Sequence, residues 1–326
     1  MNVELAVISE KGTKVHYPVV EEGIEWSTER RSSPGKLTFN VVNDNGVELL
    51  EGNTVELRVD GTPVFFGFIF SKKRSREGTV TITAYDQLRY LKNKDIYVYE
   101  NKTASQLVKM IADDFSLKVG ELEDTGFLIA SRVEDNTSLI DMIENALDLT
   151  LTNTKEMFVL YDDFGYLALK SIGNMYVGEP GAYLLIDEET GENFEYNSSI
   201  DTNTYNKIKL IYDDEDTGKR DVYTAKDAEK ILEWGILQYF DKVSKGENGQ
   251  AKADALLQLY NKKNRNLKIT NALGDVRVRA GSMVVVSLDL GDVRVNNFML
   301  VEKCSHKFKL NEHLMDLTLR GGDFVG

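Results

Sequence analysis

Period-two alternation of apolar and polar residues, gathered in short runs toward the two ends of the chain, is the feature that most limits its fold. Val80, Ile82 and Ala84 alternate with Thr81, Thr83 and Tyr85, as a half-buried strand requires. Leu37, Phe39 and Val41 repeat the pattern, as do Val55, Leu57 and Val59. In the last sixty or so residues Leu267–Ala272, Val276–Ala280, Met283–Leu288, Val293–Cys304 and Leu314–Leu319 alternate or run apolar. Turn signals punctuate the first group: Ser32-Ser33-Pro34-Gly35, and Asp60-Gly61-Thr62-Pro63 ahead of the apolar run Val64–Phe70. Asp-Gly between alternating segments is a hairpin signature. Strands are also expected at Asn2–Ile8 and Thr13–Val20, with Pro18 near an edge. Residues 1–85 therefore read as an all-β unit of about six strands, of barrel or sandwich type.

The period changes beyond Tyr85. Thr103 stands three residues before Gln106, a capping box, and Leu107, Val108, Ile111 and Phe115 follow at helical spacing. After a loop containing Gly120 and Gly126, a second helix is expected with a cap near Asn136 or Thr137 and an apolar face of Leu139, Ile140, Ile143, Ala146 and Leu147. Strands at Met157–Tyr161 and Tyr166–Lys170 flank Asp162-Asp163-Phe164-Gly165, giving a small α+β lobe over 86–170. Residues 171–265 return to turn-punctuated β structure around a strand at Asn206–Tyr212. Here helices are expected to start at Thr224, three before Asp227, and at Gly246–Asn248, with Gly235–Val243 extended between them. Residues 266–326 are strands again.

Two segments share an order. Gly52-Asn53-Thr54-Val55 leads into a strand, a glycine turn, an apolar run through Phe68 and a closing strand at 79–85. Gly281-Ser282-Met283-Val284 leads into a strand, the turn Leu290-Gly291-Asp292, an apolar run through Val301 and a closing strand at Leu314–Leu319. The chain thus reads as two copies of one barrel-like module, the second completed by 266–326, with other elements inserted between them.

Several long words resemble the XkdQ/YqbQ family of baseplate hub proteins from contractile phage tails and tail-like particles. They are AYDQLRYLKNKDIYVYENKTASQLVKMIADDF from Ala84, VLYDDFGYLALK from Val159, TYNKIKLIYDDEDTGKRDVY from Thr204, WGILQYFDKV from Trp234, LGDVRVRAGSMVVV from Leu273 and LVEKCSHKFKLNEHLMDLTLRGG from Leu300. The resemblance implies a mainly β fold with an α+β insertion: two tube-like antiparallel β-barrel modules, a small α/β lobe and a peripheral helix. It also implies a homotrimer in which three chains present six barrels, a pseudo-sixfold ring that adapts a hexameric tail tube to a trimeric spike. The implied partners are the chain itself, the tail tube protein, the central spike, other baseplate proteins and the tape measure protein. The implied place is the tail baseplate of a virion or of a headless bacteriocin-like particle, assembled in the host bacterial cytoplasm.

Composition narrows the alternatives. With 39 basic and 53 acidic residues, a formal net charge of −14, the chain lacks the clustered cations that phosphate binding needs, so no sequence-specific nucleic-acid partner is expected. Lys72-Lys73-Arg74 and Lys262-Lys263 read as solvated faces. An acidic lumen would keep a polyanion from sticking to a tube wall, although solubility is the more common reason for such acidity. The single cysteine, Cys304, excludes an internal disulfide framework. Met1 leads into strand-like sequence without a basic n-region or apolar h-region, so the chain is expected to be made and kept in the cytoplasm. No window reaches the roughly 20 apolar residues of a membrane span.

Chemistry is sparse. No nucleophile elbow, phosphate loop, dinucleotide fingerprint or HExxH helix is present, and neither a catalytic residue nor a cofactor is expected. The best metal candidates are Cys304 and His306, on one strand face, with His313 across the next connection. Asp213–Gly218 resembles half a calcium loop but has Thr224 where a bidentate Glu belongs. Asp162-Asp163 is a carboxylate pair of the kind glycoside hydrolysis uses, although neighbours on a strand or turn point apart. Tyr85, Tyr90, Tyr97 and Tyr99, with Trp234, Tyr239 and Phe240, are either core or partner anchors. The lobe around the Thr103 helix has a LysM-like arrangement, a weak pointer to glycan. Two classes therefore stay open: a structural hub without chemistry, and a protein that binds or cuts peptidoglycan at the tail tip.

Overall fold

The computed structural model describes residues 1–9, 12–42, 49–76, 78–213, 218–243, 248–291 and 293–321. It forms two compact units, Met1–Glu195 with Lys268–Gly326, and Tyr196–Leu267. The first unit begins with β1 (Val3–Ser9), β2 (Lys14–His16), β3 (Ile24–Glu29), β4 (Lys36–Val42), β5 (Thr54–Val59), β6 (Thr62–Arg74) and β7 (Thr79–Tyr85). A lobe follows, built of β8 (Lys94–Lys102), α1 (Ala104–Asp114), β9 (Val119–Leu122), β10 (Ile129–Ser138), α2 (Leu139–Thr154), β11 (Phe158–Asp162) and β12 (Leu167–Ser171). Short strands β13 (Gly178–Glu179), β14 (Ala182–Tyr183) and β15 (Leu185–Ile186) lead to β16 (Gly191–Ser199), along which the chain leaves this unit. The second unit holds β17 (Lys207–Asp213), β18 (Arg220–Lys226), α3 (Ala228–Trp234), β19 (Gln238–Lys242) and α4 (Gly249–Tyr260). The chain returns along β20 (Asn264–Leu273) and ends with β21 (Met283–Asp289), β22 (Arg294–Phe308) and β23 (His313–Arg320).

Most strands join one largely antiparallel sheet, in the order β16-β20-β23-β22-β3-β4-β7-β6-β5-β1-β2, with β21 branching from β22 and β15 from β21. Alternation explains the burial. Leu37, Phe39, Val41, Val55, Leu57, Val80, Ile82 and Ala84 pack into one core while their neighbours face outward. The Asp60-Gly61 turn closes β5 onto β6 with φ of 48° and 78°, the left-handed pair that a two-residue hairpin requires.

The two segments with a shared order are built alike in detail. The Gly52 amide donates to Ile69 O (2.8 Å) and the Ile69 amide to Asn53 O (2.9 Å). The Gly281 amide donates to Val301 O (2.8 Å) and the Val301 amide to Ser282 O (2.9 Å). Both glycines sit in the left-handed region, at φ of 90° and 95°. A bulge then interrupts each long strand at the same step, between Ile69 and Ser71 against β7 and between Val301 and Lys303 against β23. Register also agrees: Thr54 faces Phe68 as Met283 faces Leu300, and Ile69 faces Ala84 as Val301 faces Leu319. The same flanking order, β3-β4-β7-β6-β5 and β16-β20-β23-β22-β21, surrounds both.

In the lobe, the Thr103 capping box is present: its hydroxyl accepts from the Gln106 amide and the Gln106 side chain accepts from the Thr103 amide. Leu107, Val108, Ile111, Leu139, Met142 and Ile143 bring α1 and α2 into one core with Leu167 and Leu169. Three sequence expectations are corrected. The second helix is capped by Ser138, not Asn136 or Thr137, because those residues lie in the irregular end of β10, where Asn136 has φ of 51°. The helix expected from Thr224 starts after Asp227, whose carboxylate accepts from the Lys230 amide, since Thr224 is paired with Lys209 inside β18. Val276–Ala280 is a turn rather than a strand: Ala280 turns inward and donates its amide to Thr28 Oγ1 (2.9 Å).

The second unit pairs β17 antiparallel with β18 and parallel with β19. Ile208, Leu210, Ala225, Val243 and Ala253 form its core. Tyr205, Tyr239 and Tyr260 pack ring to ring beside it. Among the described residues, no helix is long and apolar enough to cross a membrane.

Candidate functional site

Cys304 and His306 of β22 and His313 of the neighbouring β23 come together along the stretch of β22 that also pairs with β3. Period-two spacing puts Cys304 and His306 on the buried face of β22, with Sγ 3.1 Å from His306 Nε2. His306 Nε2 is 2.8 Å from Val278 O, which only accepts, so the proton sits on Nε2 and Nδ1 is left to accept from His313 Nε2 at 2.8 Å. The His306 ring is fully buried, stacked on Trp26 (4.7 Å), while His313 stacks on Phe308 (4.5 Å). Burial holds the His306 pKa down at about 3, with the neighbouring His313 acting in the same sense. His313 is lowered by burial too, and burial raises the Cys304 thiol. Both nitrogens of His306 are thus occupied by protein, and the thiol resists becoming the thiolate a metal needs. Among the described residues, no group of three or more His, Cys, Asp or Glu is placed to hold a metal ion. The cluster works as a polar rivet in the ladder that joins β22 to β3, where His306 faces Trp26 and Cys304 faces Thr28.

A second buried cluster escaped the sequence reading. Asp86, at the end of β7, accepts from the Gly35 amide (2.8 Å) and the Leu88 amide (3.0 Å). A Cβ at Gly35 would lie 2.5 Å from Asp86 Oδ2, so only glycine allows this approach. Asp162, at the end of β11, accepts from the Gly165 amide (2.6 Å). Arg279 donates Nη2 to Asp162 O (2.8 Å) and stacks 4.1 Å over the Tyr161 ring. Burial raises both carboxyls, Asp162 to about 6 and Asp86 well above the usual range, the latter helped by the charge of Asp162. Raised carboxyls often mark chemistry, but these are sealed, each about 5% exposed or less. Asp163 points out to solvent, so Asp162-Asp163 do not face one another across a cleft.

An open hollow of this unit lies elsewhere. About 300 Å³ is enclosed by Phe66, Phe68, Tyr90 and Phe115, with Gln87 and Lys118 at its wall. The Gln87 amide is tied at both ends to the Lys118 backbone (3.1 Å each), and Lys118 Nζ lies 5.7 Å from the Phe66 ring. Among the described residues no carboxylate, imidazole or thiol lines it, so those residues offer ring faces and one ammonium group rather than an acid–base pair.

The other candidates disperse. Tyr97 and Tyr99 are core residues of the lobe, while Tyr85 and Tyr90 pack on Phe70. In the second unit Trp234 lies beneath Lys230, Tyr239 joins the tyrosine cluster and Phe240 is exposed. Asp213 is held by Arg220 (2.5 Å) and Lys242 (3.2 Å); positions 214–217 of the acidic loop lie outside the described residues. Lys72, Lys73 and Arg74 stand exposed at the end of β6.

The comparisons with known proteins agree with one another. A family model described as YQBQ-like matches residues 24–320. YqbQ of Bacillus subtilis (strain 168) is 32% identical over 329 residues, covering 97% of this chain and 96% of its own. The phage-like element PBSX protein XkdQ of the same organism is 29% identical, covering 92% of each. Among solved structures, the 43 kDa tail protein of prophage MuSo2 from Shewanella oneidensis matches at a TM-score of 0.70 and 14% identity, over 98% of both chains. That last likeness is one of fold.

Proposed function

The chain belongs to the YqbQ-like family, and from that premise we propose that it is a structural protein of a phage-type tail baseplate. More specifically, we propose a hub: a homotrimeric ring of pseudo-sixfold symmetry that seats a hexameric tail tube on a trimeric spike and performs no chemistry of its own. One observation carries this reading. The meanders β5-β6-β7 and β21-β22-β23 share order, register, glycine entry and bulge, so one chain offers the same wall segment twice. Three such chains present six equivalent segments to a sixfold tube while keeping threefold contacts for a spike. On this proposal the segments belong to two tube-like barrel modules, built by residues 1–85 and completed by 266–326. The lobe over 86–170 and the mixed region over 171–265 are decoration.

Light scattering coupled to size exclusion tests the proposal on the purified chain, alone and with the spike protein of the same particle. A species of three times the 36.8 kDa chain mass in either condition supports the hub. A monomer in both conditions overturns it, and measurable binding or hydrolysis of purified cell wall then favours a wall-directed protein.

A further inference from the structure

Within the chain, the second half of β22 is covered on its β21 side by β3: Lys303 faces Glu29, Ser305 faces Ser27 and Phe308 faces Ile24. Charge matches along this junction, with Lys303 Nζ 3.0 Å from Glu29 and Ser305 donating to Glu25 (2.8 Å). Through the shared bulge, the corresponding half of β6 is Ser71–Arg74. Its ladder to β5 ends at the pair Thr54–Phe68, and among the described residues the backbone of Ser71–Lys73 is laddered to β7 alone. Among the described residues that leaves an open backbone edge at Ser71, Lys72 and Lys73, whose side chains are exposed, the Lys72 ammonium also donating to Leu49 O (2.8 Å). The strand that corresponds to β3 in sheet order is β16, which among the described residues ends the sheet and pairs with β20 alone. Its residues Glu192, Asn193, Phe194 and Glu195 are exposed. One open edge is basic and the other acidic, the same polarity as the junction already made inside the chain.

We propose that β16 of one copy of this chain adds to the β6 edge of a second copy, repeating between chains the junction that β3 makes with β22 within a chain. This inference rests on the hub reading and names its subunit contact. The contact is heterologous, because donor and acceptor edges differ, so repeated application gives a closed ring when the rotation closes. Main-chain ladder bonds supply the attraction, as in strand addition generally, while Lys72 and Lys73 against Glu192 and Glu195 set which edges meet.

The test is self-association of the full chain at low salt, measured by sedimentation equilibrium. Lys72→Glu with Lys73→Glu, and separately Glu192→Lys with Glu195→Lys, are each expected to weaken association roughly tenfold or more, and all four together to restore it within a few-fold. Thermal melts confirm that each variant is folded. As a second readout, cysteines placed at Ser71 or Lys73 and at Asn193 or Glu195 of one chain are expected to cross-link on oxidation into species of several chains; Cys304 is buried and silent. A wild-type trimer that neither charge reversal weakens and no cysteine pair cross-links overturns the edge contact and leaves the hub standing. A wild-type chain that stays monomeric even with its spike overturns both.

Discussion

The meanders β5-β6-β7 and β21-β22-β23 share a ladder yet differ in what lies beyond it. After the bulge, the C-terminal copy carries Cys304 and His306, buried beneath β3, whereas the N-terminal copy carries Lys72 and Lys73, exposed. Upstream, Gly67 of the first stands where Met299 stands in the second, judged from Val55 facing Gly67 and Val284 facing Met299. A Cβ at Gly67 would lie 2.4 Å from Tyr85 O and 2.6 Å from Phe65 Cζ, so the first copy closes over backbone where the second fills the space with a side chain. Backbone pairing is thus kept while one edge is sealed by β3 and the other, among the described residues, is left unpaired.

The comparison breaks first at matched core positions. Val55 and Val284 are both fully buried, and Val55→Asp or Val284→Asp is expected to abolish folding, since an unpaired buried carboxylate costs several kcal/mol. Solubility and circular dichroism of the two variants check this; a folded Val284→Asp protein beside an unfolded Val55→Asp one would show that the copies are not equivalent in the core. Met299→Ala should cost about 2–5 kcal/mol by opening a cavity. Gly67→Ala should cost about 1–3 kcal/mol by overpacking. Denaturant unfolding measures both, and near-neutral Gly67→Ala would mean that Tyr85 and Phe65 yield easily.

Acidity separates the two buried clusters. His306 has a folded pKa of about 3, below its ordinary 6.5, so its contribution is present above pH 6.5 and is lost as pH falls toward 3. Asp162 has a folded pKa of about 6, above its ordinary 3.8, so it favours the fold in acid and loses that contribution as pH rises through 6. Melting temperatures between about pH 3 and pH 8 should therefore fall less steeply on acidification for His306→Gln than for wild type, and more steeply for Asp162→Asn. Equal slopes for all three proteins would contradict these environments. The smallest effect belongs to Lys303→Ala, which removes an exposed ion pair with Glu29 and should cost under about 1 kcal/mol in the same melts.

Much of the sheet was legible because alternation and burial are one fact stated twice, and glycine entries at 52 and 281 mark where each meander begins. The strand β8 was legible only as a short extended piece before the Thr103 helix, and β10 was not legible as a strand. Ile96, Val98 and Val133 face solvent, and β10 buries Glu134 while exposing Val133, so neither gives a clean period. The sequence of β16 sets Phe194 and Tyr196 on one face among polar neighbours, too short an alternation to announce an edge strand. Spacing along a single strand brought Cys304 and His306 together in advance, and a hairpin added His313. Residues 35, 86, 162 and 279 converge only through the tertiary fold, so no local pattern announced Asp86 and Asp162 as a pair.

The central claim is that one chain supplies the same wall segment twice. Electron cryomicroscopy of the assembled ring, processed without imposed symmetry, tests it most directly. The account expects six like density segments around the channel, alternately from residues 1–85 and 266–326, with threefold symmetry at other levels. A ring with only three such segments around its channel, or with the two meanders at different radii, would contradict it.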